Sequence, residues 1–153
     1  MVGMDEPVEA IEFETMLLGR HSLAQRPRGG DYLERSAYIL LSRLHMTGPM
    51  SIGQLSEALG LDSSTLNRQT AAMMRAGLVE RIADPDGGVA RKFRVTPTGE
   101  HRLDAERTTI VSGLQSIVQD WSVEDATAFA AYLKRFNLDI ERRTGREWPR
   151  PAV

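Results

Sequence analysis

SIGQLSEALGLDSSTLNRQTAAMMRAGLVERIADPDGGVARKFRVTPTGE, residues 51–100, is the stretch on which the reading of this chain turns. Ser51 is placed to cap a short helix that turns Ile52, Leu55 and Leu59 inward and closes at Gly60. Three residues on, Asp62 or Ser63 caps a second helix, whose Leu66, Met73 and Met74 face inward and which ends at Gly77. Two short helices joined through Gly60, Leu61 and Asp62 have the proportions of a helix-turn-helix, which presents its second helix outward. Residues 78–82 then alternate apolar and polar like a half-buried strand, and 83–90 are dense in turn residues. Residues 91–96 alternate again, with Phe93 and Val95 on one face, so a two-stranded hairpin follows the second helix directly.

On the C-terminal side, Thr96 or Thr98 caps a long helix with Pro97 suited to its first turn, and the helix runs to about Asp120. Trp121 and Ser122 mark a junction. A last helix carries Val123, Ala126, Phe129, Ala130, Leu133, Phe136 and Ile140 at helical spacing, and the tail from Gly145 reads as loosely held. On the N-terminal side, residues 8–24 read as a helix with Val8, Ile11, Met16, Leu17 and Leu23 near one stripe, broken by the stretch 25–30. A second helix starts at a cap on Asp31, presents Leu33, Ala37, Leu40, Leu41 and Leu44, and ends at Gly48 and Pro49. Its almost wholly apolar stripe places it at the centre of the core.

The bulk properties exclude several classes. A chain of 153 residues closes one core rather than two. With 41% hydrophobic and 26% charged residues it lies far from the disordered regime. There are no cysteines, which removes disulfides and thiolate metal sites, and His21, His45 and His101 are scattered, so neither a metal site nor a cofactor is expected. The acidic start and the lack of an apolar run of roughly 20 residues argue for a cytoplasmic protein without a membrane span. No nucleophile motif, phosphate-binding glycine loop or His-x-x-x-His pattern is present, and the reading is non-enzymatic.

A net charge of −2 argues weakly against nucleic acid, but its distribution matters more than its sum. Lys and Arg against Asp and Glu number 5 to 8 in residues 1–61, 7 to 5 in residues 62–103 and 7 to 8 in residues 104–153. Only the middle segment is net positive, and it holds the tight cluster Arg91, Lys92 and Arg94.

The order helix, helix, helix-turn-helix, hairpin, long helix, helix is similar to that of the MarR family of bacterial transcription factors. Its most specific part is residues 72–100, which look like the family's recurring string. There the recognition helix ends in Gly-Leu-Val-x-Arg, an Asp-Pro-x-Asp turn leads to an arginine-rich wing, and Leu-Thr-x-x-Gly begins the next helix. The matching residues are Gly77, Leu78, Val79, Arg81, Asp84, Pro85, Thr96 and Gly99. The resemblance implies a mainly α fold in which a small β wing completes a single domain. A winged helix-turn-helix would occupy about 33–98, and dimerisation helices about 8–24 and 97–146. One departure stands out: members commonly carry Asp-Arg-Arg at the wing tip, and this chain has Gly87, Gly88 and Val89. Without a tip arginine for the minor groove, lower affinity or a more permissive sequence preference is expected.

A recognition helix meets the major groove with its N-terminal half. Ser63, Ser64, Thr65, Asn67, Arg68 and Gln69 occupy that half. Asn and Gln pair two-pronged with adenine and Arg with guanine, which makes Asn67, Arg68 and Gln69 the candidates for base reading. The hydroxyls, with Ser51, are candidates for phosphate or for helix caps, and Arg91, Lys92 and Arg94 for the phosphate backbone. The resemblance further implies a homodimer on an inverted-repeat operator in double-stranded DNA, acting as a repressor. It also implies release by a small, frequently aromatic or phenolic effector, for which Met16, Arg20, Tyr38, Leu41 and His45 are the candidate pocket residues. The low net charge and the glycine-rich wing tip leave one alternative, a winged helix used only for protein contacts. Salt separates the two, because only DNA binding weakens steeply as salt rises.

Overall fold

The computed structural model describes residues 3–24 and 30–152. Six helices and one hairpin follow in the order α1 (Asp5–Gly19), α2 (Arg35–Thr47), α3 (Ile52–Leu59), α4 (Ser63–Arg75), β1 (Val79–Ile82), β2 (Lys92–Val95), α5 (Pro97–Ile117) and α6 (Val123–Thr144). The strands pair antiparallel, with Val79 opposite Val95 and Ile82 opposite Lys92. Met50 adds a short third rung by exchanging backbone hydrogen bonds with Phe93, at 3.2 and 2.8 Å. This bridge ties the linker between α2 and α3 to the hairpin, and no periodicity in the sequence announces it.

The core gathers residues from α2, α3, α4, α5 and both strands. Leu40, Leu41 and Leu44 of α2 meet Leu55 of α3, Leu66 and Met73 of α4, Val79, Phe93 and Leu103, with Leu33, Met50 and Leu78 from the connections. Leu66, Thr70 and Met73 lie at helical spacing on the inner face of α4. Thr70 is buried without cost because its hydroxyl donates to the Leu66 carbonyl at 2.8 Å. Burying each of these leucines contributes roughly 2 kcal/mol, and together they fuse α2, α3, α4 and the hairpin into one unit.

Caps set the boundaries. Ser51 forms a reciprocal capping box with Gln54, Thr96 caps α5 with Pro97 behind it, and Ser122 caps α6. Asp62, rather than Ser63, caps α4: its carboxylate accepts from the Thr65 N–H at 2.7 Å. The expected start of α2 at Asp31 is corrected to Arg35, because Asp31 pairs with Arg102 at 3.3 Å instead of turning back on its own chain. The expected first helix shifts to Asp5–Gly19, and the break expected at 25–30 lies, apart from Gly30, outside the described residues.

The helices divide sharply by burial. None of α1 or α6 is buried, so the apolar stripes read from the sequence face outward in the single chain. Between α1 and α6 lies an open cleft of about 710 Å³ bounded by Ile11, Leu18, Phe129, Leu133 and Phe136. Trp121 packs edge-on against Phe129 with ring centroids 5.5 Å apart.

The tail corrects another expectation. Instead of being loosely held, the segment after α6 folds back on the chain. Gly145 takes a left-handed conformation, and Glu141 then accepts from the Trp148 N–H at 3.1 Å and from both terminal nitrogens of Arg150, at 2.9 and 2.5 Å. The Arg150 guanidinium and the Trp148 N–H hold the Glu141 carboxyl down at about 2, well below the usual carboxylate range.

Candidate nucleic-acid interface

α4 is held by its apolar stripe, so the residues between the stripe positions are displayed. Ser63, Ser64, Asn67 and Arg68 are exposed, whereas Thr65 and Gln69 are half-buried. The hydroxyl of Ser64 donates to Asp62 at 2.7 Å, and Arg68 donates to the Thr65 hydroxyl at 3.3 Å, which lays the guanidinium along the helix. Ser63 and Asn67 hold no side-chain partner among the described residues. Asp62 lies at the same helix end, and the Thr65 N–H, followed by the Ser64 hydroxyl, lowers its carboxyl to about 2. Its negative charge is thus bound up with the first turn, while the earliest N–H groups of α4, which have no intrahelical acceptor, stay free for an anion.

Ser51 sits at the start of α3, where its oxygen accepts from the Gln54 N–H at 3.2 Å and its own N–H donates to the Gln54 side chain at 2.9 Å. Capping leaves the hydroxyl proton available to a phosphate. The wing treats its three candidate cations differently. Lys92 pairs with Asp84 at 3.3 Å with both side chains largely covered, and Arg94 forms two hydrogen bonds to Glu80 across the hairpin, at 2.9 and 2.5 Å. Arg91 is exposed with no such partner among the described residues. Local acids therefore compensate two of the three charges that sequence reading assigned to phosphates. One cation that this reading passed over is Arg81, whose guanidinium lies over the Phe93 ring at 5.5 Å.

The wing tip is built around Asp84, which accepts from the Asp86 N–H at 2.9 Å. A Cβ at Gly88 would lie 2.2 Å from an Asp84 carboxylate oxygen, whereas Val89 next to it is fully exposed. A side chain at position 88 would therefore have to move the Asp84 carboxylate aside.

A second cavity, of about 490 Å³, opens where the segment after α1 meets α2 and α5. Of the five residues proposed for a ligand pocket, Arg20 and Tyr38 line it. Leu41 lies entirely within the core, Met16 is exposed on α1, and His45, two turns beyond Tyr38 on α2, lies outside the cavity and pairs with Glu100 at 2.7 Å. Sequence reasoning missed Arg35, His21 and above all Glu106, whose carboxylate is buried and accepts from the Leu33 N–H at 3.4 Å. The signal was present: Leu103, Glu106 and Ile110 follow helical spacing, so an acid stands in an apolar stripe. Among the described residues no cluster of His, Asp and Glu is arranged to hold a metal ion, and no helix is long and apolar enough to cross a membrane.

This architecture has relatives. The MarR family model matches residues 33–87. An HTH-type transcriptional regulator of Bacillus subtilis strain 168, YxaD, is 35% identical over 133 residues, covering 86% of this chain and 93% of that protein. A MarR family protein from Bacillus stearothermophilus superposes with a TM-score of 0.74 at 23% identity over 90% of this chain and 99% of its own. The PcaV transcriptional regulator from Streptomyces coelicolor, solved in complex with its natural ligand, superposes with a TM-score of 0.63 at 20% identity over 90% of this chain and 97% of its own. With its helix-turn-helix, its wing and a relative this similar over nearly its whole length, the chain belongs to the MarR family and is a DNA-binding transcriptional regulator.

Proposed function

We propose that this protein acts in the cytoplasm as a homodimeric repressor, binding an inverted-repeat operator with one α4 in each of two successive major grooves. The observation that carries the reading is the outer edge of α4. Asn67 and Arg68 face solvent beside the first turn, whose earliest N–H groups have no intrahelical acceptor, and no other element among the described residues covers them. Such an edge supplies both base-reading side chains and an anion site. Ser51, Ser63, Ser64, Thr65 and Gln69 surround it, and Arg91 extends it onto the wing, with Lys92 and Arg94 behind.

Pairing of two copies is supported by the apolar faces of α1 and α6, which one chain leaves uncovered, from Ile11 and Leu18 to Phe129, Leu133 and Phe136. An apolar area of this extent marks an interface, and two-fold pairing is its simplest form. Such a pair would set the two α4 helices about 34 Å apart, one turn of DNA. Release by an effector is supported by the cavity beside Tyr38, where Arg20 and Arg35 suit the acidic or phenolic group of a small aromatic molecule. The ligand-bound Streptomyces regulator shares this fold.

Sedimentation equilibrium and fluorescence anisotropy on a labelled fragment from upstream of the gene test the reading. A two-chain mass is expected, with affinity falling about a hundredfold or more between 50 and 200 mM salt. A one-chain mass, or binding indifferent to salt, would overturn it.

A further inference from the structure

The segment after α6 touches the winged unit at two points, the turn between α3 and α4 and the helix α2. The Arg146 guanidinium lies so close to Gly60 that a Cβ there would sit 2.8 Å from its central carbon. Gly60 is the left-handed residue that ends α3 and opens the turn into α4. The carbonyl of Glu147 accepts from Arg43 of α2 at 3.3 Å, and the Arg43 guanidinium lies 5.1 Å from the centre of the Trp148 ring. Arg43 keeps one buried nitrogen, Nε, without a hydrogen bond. The far end of the segment is locked to α6 itself, through Glu141 with Trp148 and Arg150.

We infer that residues Glu141 to Arg150 form a strap that positions the helix-turn-helix on the dimerisation helices and so sets the separation of the two α4 helices. This inference rests on the homodimeric reading above. Its physical basis is the number of attachments. α5 leaves the wing at Thr96 as one continuous helix about 30 Å long, and no residue of α6 is buried. Held along α5 alone, through Gly99, Leu103 and Glu106, the winged unit can still rock about that one helix. A second attachment at α2 and the α3–α4 turn, on a different side of the unit, removes that motion. A dimer held in this way has its half-site spacing decided before DNA arrives, and does not lose ordering entropy on binding. Glu141, Trp148 and Arg150 are thus positioning residues that need not touch DNA.

The test uses the full chain and an operator selected from random duplexes by the wild type, together with versions whose half-sites are moved apart or together by one and two base pairs. Wild type is expected to favour one spacing by about tenfold or more. Trp148→Ala and Glu141→Gln are expected to lose about fivefold at that spacing and to discriminate among spacings by no more than about threefold, with dimer mass unchanged. Trp148→Phe, which keeps a ring under Arg43, should restore the selectivity. Without DNA, Trp148→Ala should speed amide exchange at Gly60 by about tenfold.

Unchanged spacing selectivity overturns the strap, even if affinity falls equally at every spacing. So does unchanged exchange at Gly60, a readout that stands if the protein fails to bind DNA or proves monomeric. Those two outcomes would instead sink the homodimeric operator reading.

Discussion

Gly99 faces the backbone carbonyl of Leu78 so closely that a Cβ on the glycine would lie 2.1 Å from that oxygen and 2.8 Å from a methyl of Val95. The same carbonyl accepts from the Thr96 N–H at 3.0 Å, while the Thr96 hydroxyl donates to the Gly77 carbonyl at 2.6 Å and accepts from the Gly99 N–H at 3.0 Å. The Thr-x-x-Gly signature is therefore the clamp that seats the first turn of α5 against the end of α4. Gly99→Ala should destabilise the protein by about 1–3 kcal/mol through overpacking against backbone that cannot yield. Gly53→Ala, where a Cβ meets only the Ser51 oxygen at 3.9 Å, should be neutral or stabilising. Urea unfolding of the two variants checks the contrast, and equal effects would refute it.

Ser51 separates capping from phosphate contact. Ser51→Ala should reduce stability by about 1 kcal/mol, whereas Ser51→Asp keeps a capping oxygen and should leave the unfolding midpoint nearly unchanged. If the Ser51 hydroxyl meets a phosphate, the aspartate variant should nevertheless bind DNA at least several-fold more weakly. Affinity equal to wild type would reduce Ser51 to a cap.

At the interface, Arg68→Ala should lower operator affinity by about 1–3 kcal/mol and relax the preference at one base pair. Among the wing cations, Arg91→Ala should weaken binding most and flatten the salt dependence by about one phosphate contact. Arg94 is already compensated by Glu80, so Arg94→Ala should have the smaller effect. Anisotropy titrations at several salt concentrations rank the three, and a larger loss for Arg94→Ala would reverse the assignment.

The missing tip arginine should be restorable at position 89 rather than 88. Val89→Arg adds a cation to a fully exposed site, and tighter DNA binding with a steeper salt slope is expected. Gly88→Arg displaces the Asp84 carboxylate and with it the Lys92 pair, so its gain should be smaller. A larger gain from Gly88→Arg would show that the tip loop adapts freely.

Acid should loosen the start of α4 in a defined range. The Thr65 N–H, first among its partners, lowers the Asp62 carboxyl from 3.8 to about 2. A depressed carboxylate stabilises the folded chain above its unfolded value, and that contribution is lost as pH falls from near 3.8 to about 2. Asp62→Asn, which keeps a capping oxygen, should make the start of α4 insensitive over this range. Amide exchange of residues 63–66 measured against pH checks it.

Much of this protein is decided along the chain itself. Ser51, Gly60, Thr96, Pro97 and Ser122 mark boundaries because caps and left-handed turns depend on a few neighbouring residues, and the stripe of Leu66 and Met73 orients α4 by period alone. Position in space is another matter. That Lys92 and Arg94 face acids follows from the register of the hairpin, whereas that Arg20 and Tyr38 share a cavity with Arg35 and Glu106, and that the tail reaches Arg43 and Gly60, depend on residues far apart in sequence. Such pairings arise only once the leucine core has fixed the distance between α2, α5 and the hairpin. Local preference is written in neighbouring side chains, whereas the closing of a pocket depends on which distant groups packing brings within reach.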